Sequence, residues 1–191
     1  MPPMSFDPTG HLLVTPEDND AQARIRRLQE LGLGEVPVPE YDEFARELAH
    51  TTGAPFAMVN FIGAEQMYFA GLYHPGVDQT VELDPTAAGQ AVSRFMPRDH
   101  GYCPHVVARR KALVLDDVCD YPRFAGNPVV DEIGIRSYMG APLIDRTGTA
   151  LGTVCVVDQE ARPWGRQGLE TIKARAAELV ERIHRREREG S

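Results

Sequence analysis

The chain has 191 residues, with 28 acidic against 20 basic side chains and a net charge of −8. Proteins that bind nucleic-acid backbones present a basic surface, so this balance argues against a nucleic-acid partner. No apolar run approaches the roughly 18 residues of a membrane-spanning helix. The opening MPPMSFDPTG lacks the basic and apolar regions of a secretion signal. We therefore expect a cytoplasmic protein without a membrane partner.

Two helices are predicted near the N-terminus. Residues 1–14 are rich in proline, glycine and polar groups and are expected to be disordered or extended. The stretch TPED (15–18) supplies an N-cap, a proline at the first helical position and early acids, so residues 15–38 are expected to form a helix and a linker. A second helix is expected to begin near Pro39, and its buried face should carry Tyr41, Phe44, Ala45 and Leu48.

The middle of the chain predicts β-strands. PFAMVNFI (55–62) and QMYFAGLYH (66–74) are apolar runs separated by a short connection, which indicates a hairpin. ALVLDD (112–117) predicts a single further strand. IRSYMGAPLID (135–145) and TALGTVCVVD (149–158) flank a short turn and predict a second hairpin.

Two irregular segments separate these strands. Residues 75–110 lack clear periodicity and contain HGYCPH (100–105), while residues 120–134 are interrupted by prolines and a glycine and predict a loop with a short helix. Irregular segments of this length inside a compact domain are usually functional. They are expected to cover a cavity above the sheet.

The C-terminal segment predicts one long helix, from Gly165 to about Arg188, with residues 186–191 as a tail. Its apolar residues are spaced alternately by three and four positions, as in a heptad seam: Leu169, Ile172, Ala176, Leu179 and Ile183. Such a narrow seam with charged flanks favours packing against a partner helix, and packing against the chain's own sheet is the alternative. A homodimer through the N- and C-terminal helices is the expected assembly.

The order of elements predicts an α+β fold. A central antiparallel sheet of five to six strands is expected, with the terminal helices on one face and the irregular crossover segments covering a pocket on the other, as in a GAF/PAS-like sandwich.

Four stretches make the chain similar to GAF domains, the small-molecule-sensing modules of bacterial signalling proteins. The first hairpin resembles the opening strands of that family. YCPHVVARRKALVLDDVCDYPRFAGNPVV (102–130) resembles its cysteine-containing helix start followed by a D-x-R-F-x-x-N-P loop. The second hairpin and the final helix complete the match, which covers about residues 39–185. The resemblance implies a ligand pocket between the sheet and the crossover segments, and a sensory or regulatory role in bacterial signal transduction.

The resemblance does not select a ligand, because function resides in the site and not in the fold. Cyclic-nucleotide GAF domains carry N-K…F-x-x-x-D-E, whereas Asp131 and Glu132 here follow Phe124 after six residues and no lysine is near. Bilin-binding GAF domains use a cysteine that can precede a histidine directly, and here Pro104 intervenes. Haem is not selected either, so the cofactor is left unknown.

The three cysteines are Cys103, Cys119 and Cys155, an odd number without C-x-x-C spacing. Cys103 should lie at a helix start, where it would be either a reactive or ligand-contacting thiol or a buried wall of the pocket. Cys155 is expected to be structural, within a central strand, and Cys119 to be exposed in a loop. Their separations differ from the arrangement of the GAF-type methionine-sulfoxide reductases. A metal held by His100, Cys103 and His105 is not expected, because these positions seldom converge.

Eight residues form the candidate site. The pocket candidates are Tyr102, Cys103, His105, Phe124 and Tyr138, and the residues expected to structure the adjoining loop are Asp120, Arg123 and Asn127.

No catalytic motif is recognisable, so an enzyme is not expected. The first hypothesis is a dimeric sensory module for an unknown small molecule, whose output passes through the dimer or a separate signalling partner. The alternatives are a redox-active thiol sensor or methionine-sulfoxide-reductase-like enzyme using Cys103, and a ligand-free dimerisation scaffold.

Overall fold

The computed structural model describes residues 18–34, 36–64, 66–74, 94–97, 101–127, 129–130 and 134–190. The helices are α1 (Ala21–Glu30), α2 (Pro39–Thr52), α3 (Cys103–Arg109), α4 (Pro122–Ala125) and α5 (Gly165–Glu189), with a 3₁₀ turn at Val118–Asp120. The strands are β1 (Phe56–Ile62), β2 (Gln66–Tyr73), β3 (Phe95–Pro97), β4 (Leu113–Leu115), β5 (Ser137–Ile144) and β6 (Ala150–Asp158). The predicted disorder at 1–14 lies outside the described residues.

The strands form one six-stranded sheet in the order β3-β2-β1-β6-β5-β4, in which every pair is antiparallel. The two predicted hairpins, β1–β2 and β5–β6, are joined at the centre of the sheet by the pairing of β1 with β6. The α+β prediction is therefore confirmed. Strand β3 was not predicted, because its three residues are too few to show a period.

Alternation along the strands separates two apolar layers. Ala57, Val59 and Phe61 of β1 pack with α1, α2 and α5 on one face of the sheet. Met58 and Ile62 face the opposite layer, which contains α3 and α4. This is the predicted arrangement of terminal helices on one face and crossover segments on the other, and it follows from the two-residue period of a strand.

The interpretation of the C-terminal seam as a partner-facing surface is wrong. Ile172, Ala176, Leu179 and Ile183 are buried in the same apolar layer as the sheet residues. A spacing of three and four residues marks one apolar face of a helix, and here the chain's own sheet covers that face. The helix also continues to Glu189, so the predicted tail at 186–191 is helical as far as that residue.

The N-terminal helix begins at Ala21, later than the TPED motif predicted, while α2 begins at Pro39 as expected. The predicted buried face of α2 is confirmed by the burial of Tyr41, Phe44, Ala45 and Leu48. Within the described residues, no helix combines the length and apolar composition needed to cross a membrane.

Candidate functional site

A small cavity lies between α3 and the face of the sheet opposite the terminal helices. Its volume is about 70 Å³, and its exposed lining is apolar. The residues that line it include Met58 and Asn60 from β1, Tyr102 and Cys103 at the start of α3, Tyr138 from β5 and Cys155 from β6.

The Cys103 thiol lies at the centre of a polar cluster in this cavity. Its Sγ atom accepts a hydrogen bond from Asn60 Nδ2 at 3.1 Å and lies 3.3 Å from the Tyr138 hydroxyl. The Sγ atom of Cys155 is 3.8 Å away. All four residues are buried. The structure therefore brings together two buried thiols and two buried hydrogen-bonding side chains beside one small cavity.

The loop before α3 is fixed by Asn127. Its side-chain amide makes two hydrogen bonds to the backbone of Gly101. Oδ1 accepts from the Gly101 N–H at 2.8 Å, and Nδ2 donates to the Gly101 carbonyl at 2.8 Å. Gly101 has a φ of 80°, which favours glycine. Asn127 is thus a loop-structuring residue, as predicted, and it sets the backbone that delivers Cys103 to the cavity. Pro104 follows in the first turn of the helix.

The electrostatics of the two thiols differ. The pKa of Cys103 is lowered from that of an ordinary thiol, first by a hydrogen bond from the Cys155 thiol and then by the polar side chains around it, although burial opposes the shift. The pKa of Cys155 is raised because that hydrogen bond and burial both favour its neutral form. The pKa of Tyr138 is also raised, by burial and by the neighbouring thiols. The arrangement favours a thiolate at Cys103 beside two neutral donors.

Asn60 is held in the donating orientation by Thr153. The Thr153 hydroxyl donates to Asn60 Oδ1 at 2.7 Å, which directs the amide nitrogen toward Cys103. The two residues face each other across the β1–β6 pair. Both are fully buried polar residues and were not among the predicted site residues. Thr153 lies two residues before Cys155 on β6 and hence on the same face of the strand, which the alternation of a strand could have indicated.

Cys155 has a position that its sequence context did not indicate. It is buried in central strand β6, as predicted, but its thiol faces the cavity and Cys103. Its neighbour on β5 is Gly140. A side chain at position 140 would collide with the hydroxyl of Tyr138, so this glycine leaves the space that the hydroxyl occupies beside the sulfurs.

The five pocket candidates divide into two groups. Tyr102, Cys103 and Tyr138 line the cavity. Phe124 and His105 are buried outside the cavity lining, and Phe124 packs edge-on against the rings of both Tyr102 and His105. The Tyr102 hydroxyl donates to the Phe124 carbonyl at 3.1 Å, which ties the start of α3 to α4.

The predicted capping role of Asp120 is filled by its neighbour Asp117. Asp117 caps the 3₁₀ turn by accepting from the Cys119 N–H at 3.0 Å, whereas Asp120 lies exposed within that turn. The side chain of Arg123 lies outside the described part of the chain, as does His100. In the described ranges, no group of three or more His, Cys, Asp or Glu residues is arranged to hold a metal ion.

Solved structures share this fold. The free methionine-R-sulfoxide reductase of Neisseria meningitidis, solved with its substrate, superimposes with a TM-score of 0.59 at 16% identity, over 95% of this chain and 99% of that one. The GAF domain of an Acinetobacter phosphoenolpyruvate-protein phosphotransferase superimposes with a TM-score of 0.57 at 15% identity, over 91% and 99% of the two chains. At these identities the likeness concerns the fold alone.

The sequence comparisons are more specific. A cyclic di-GMP phosphodiesterase of Pseudomonas aeruginosa is 26% identical over 176 residues, which are 91% of this chain. The chain spans only 27% of the length of that relative. Residues 39–183 match the GAF domain family, which is most of the chain and includes every element that surrounds the cavity. The chain belongs to the GAF domain family.

Proposed function

We propose that this chain is the sensory module of a signalling protein and that it responds to oxidants through the thiol of Cys103. The observation that carries the proposal is the environment of that buried sulfur, which accepts a hydrogen bond from Asn60 and lies in contact with Tyr138 and Cys155. A thiolate is the nucleophilic form of cysteine, and donors that stabilise it increase the fraction of thiolate near neutral pH.

The size of the cavity supports a small reactant. Pockets for drug-sized ligands and cofactors usually enclose about 300–1,000 Å³, whereas the described residues enclose about 70 Å³ beside Cys103. A molecule of a few heavy atoms fits this space. Chemical reaction with the thiol therefore accounts for the site better than reversible binding of a large planar ligand.

The regulatory part of the proposal is supported by the relative from Pseudomonas aeruginosa. Its name assigns it a phosphodiesterase activity toward cyclic di-GMP, and this chain matches about a quarter of it. We therefore propose a regulatory role in a signalling system of this kind, in which the chain would control an enzymatic partner.

A route from the cavity to the helical layer runs through β6. Cys155 faces the cavity, while its neighbours Val154 and Val156 are buried in the layer that contains α5. A chemical change at Cys103 that displaces Cys155 would shift these valines and the helix packed on them. Because packed interfaces adopt discrete arrangements, a small displacement of this kind can bias the position of a whole helix.

The reactivity of Cys103 can be measured against an internal reference. We expect its alkylation by a small uncharged reagent to reach half its maximal rate about one pH unit or more below 8.5, the ordinary pKa of a thiol, because its thiolate is stabilised.

Mild hydrogen peroxide should also oxidise Cys103. Peptide mass spectrometry resolves each site, and exposed Cys119 serves as the reference. Oxidation of Cys119 with Cys103 unmodified would refute the proposal.

We also propose that the module is a dimer that pairs through its N- and C-terminal helices. The seam of α5 is occupied by the sheet, so pairing would use the other faces of these helices. A groove of about 700 Å³ along α5 supports pairing through this helix, because Ala177 and Val180 line it outside the seam and beside strand residues.

Sedimentation should therefore give twice the monomer mass at micromolar concentration. Val180→Glu should shift the equilibrium toward monomer, while Glu170→Gln on the exposed surface of α5 should not. A strict monomer for the unmodified chain would exclude the dimer.

A further inference from the structure

We infer that Cys103 and Cys155 form a peroxide-reactive thiol pair that closes to an internal disulfide, with Cys155 as the resolving thiol. This inference rests on the proposed reactivity of Cys103 and adds the partner, the product and the class of oxidant. The two Sγ atoms lie 3.8 Å apart, at van der Waals contact. A disulfide requires about 2.05 Å, so the sulfurs need to approach by about 1.8 Å.

The surroundings of the sulfurs leave room for that approach. Cys103 lies at the first position of α3 and Cys155 in the middle of β6, so the bond would join a helix to the central strand. The space beside Gly140 on the β5 side is filled by the Tyr138 hydroxyl, so the approach uses the cavity side of the sulfurs. The cavity borders both thiols and leaves unfilled space next to them.

The two thiols have different roles in the reaction: Cys103 attacks the hydroperoxide, and Cys155 then forms the disulfide. The Cys103 thiolate attacks one oxygen of a hydroperoxide, the O–O bond breaks, and the second oxygen leaves with a proton from solvent as water or an alcohol. Cys103 is then a sulfenic acid. Cys155 attacks this sulfur, the S–O bond breaks, and the departing hydroxide takes the Cys155 proton to form water. Overall, two thiols and one hydroperoxide give a disulfide, one water or alcohol and one further water.

The polar neighbours have distinct parts in this sequence. Asn60, oriented by Thr153, donates to the sulfur of Cys103 and stabilises the attacking thiolate. The Tyr138 hydroxyl, 3.3 Å from the same sulfur, can hydrogen-bond to the leaving oxygen or to the sulfenic acid. Asn60 acts as a positioning residue through its contact with Cys103, and Cys155 completes the reaction.

The class of oxidant follows from the cavity. Its volume of about 70 Å³ and its apolar lining, which includes Met58, Met67 and Val157, admit small uncharged molecules. Burying an unpaired charge in such a lining is costly. Hydrogen peroxide and short alkyl hydroperoxides satisfy both conditions, whereas oxidised glutathione is charged and far too large.

The test uses the full chain with Cys119→Ser, so that only the two buried thiols remain. After equimolar hydrogen peroxide, non-reducing peptide mapping should show a Cys103–Cys155 link that dithiothreitol reverses. In the added variant Cys155→Ser, a sulfenic acid should accumulate on Cys103 and be trapped by dimedone. In Cys103→Ser, Cys155 should stay reduced. Cys155→Ala repeats the test if serine perturbs folding, and circular dichroism verifies the fold of each variant.

The outcomes separate the two proposals. A Cys103 sulfenic acid in the unmodified pair, without the link to Cys155, would overturn this inference and leave the proposed function standing. A Cys103 that resists peroxide would overturn both. Replacing hydrogen peroxide by cumene hydroperoxide should slow the reaction by at least about tenfold, since the bulky reactant exceeds the cavity. Equal rates with cumene hydroperoxide or oxidised glutathione would overturn the assignment of a small uncharged oxidant.

Discussion

Replacing Asn60 with leucine is expected to slow the alkylation of Cys103 by roughly tenfold at pH values below the pKa of its thiol, because a hydrogen bond to a charged group contributes about 1.5–3 kcal/mol. The Asn60 amide is the donor at 3.1 Å from Sγ, and both residues are buried. One pKa unit corresponds to 1.36 kcal/mol. Loss of this donor should therefore raise the pKa of Cys103 by about one unit or more and move its reactivity profile to higher pH.

Two further variants test whether the donor itself is responsible. Met58→Leu changes another lining residue of the cavity without removing a donor, and its profile should match that of the unmodified chain. Thr153→Val removes the group that orients Asn60 and should also raise the pKa of Cys103. Mass spectrometry of Cys103 after timed alkylation at several pH values gives all three profiles. Coincident profiles for Asn60→Leu and Met58→Leu would exclude the stabilising role of the amide.

The fold was predictable from the sequence because its determinants are local. The apolar runs in PFAMVNFI and TALGTVCVVD, each beside a short turn, predicted β1 and β6, and the apolar spacing after Pro39 predicted α2 with its buried face. The same spacing rule was ambiguous for α5, because the apolar residues of a helix have the same spacing whether they pack on a partner helix or on the chain's own sheet. Only the position of the sheet decides between them.

The site was predictable in part. The helix start at Cys103 and the loop role of Asn127 followed from a proline in the first turn and from turn chemistry. The contact between Cys103 and Cys155 could not be predicted, because 52 residues separate them along the chain. A cysteine among valines in a strand is typical of a core residue. Asn60 and Thr153 become neighbours only through the register of β1 with β6, which is a tertiary property.

The buried arginines of α1 are a second feature that tertiary structure alone explains. Arginine is almost never fully buried unless it is paired, yet Arg24 and Arg27 are both buried. Arg24 donates to the carbonyl of Ala150, which lies 126 residues away along the chain. Arg27 contacts Asp145 and Glu187, so one side chain ties α1 to the β5–β6 turn and to the end of α5.

Arg27→Ala is consequently expected to lower the free energy of unfolding by about 3 kcal/mol, the lower end of the range for breaking a buried ion pair. The Arg27 guanidinium lies 2.5 Å from Asp145, whose side chain is fully buried, and 3.0 Å from Glu187. The matched control is Arg26→Ala, an exposed position on the same helix, which should change stability by less than about 0.5 kcal/mol. Urea denaturation of both variants measures the difference, and equal midpoints would contradict the prediction.

The pH dependence of stability provides a second measurement on the same variant. Burial alone would raise the pKa of Asp145, but hydrogen bonds from Thr147 and Arg27 lower it. The pKa of Glu187 is lowered to about 2, first by Arg146 and then by Arg27. A carboxyl whose folded pKa is lowered stabilises the fold above its unfolded pKa of about 4, and this stabilisation is lost as the pH falls toward 2. Arg27→Ala should therefore flatten the acid limb of the stability profile, and a limb as steep as that of Arg26→Ala would show that Arg27 does not govern these carboxylates.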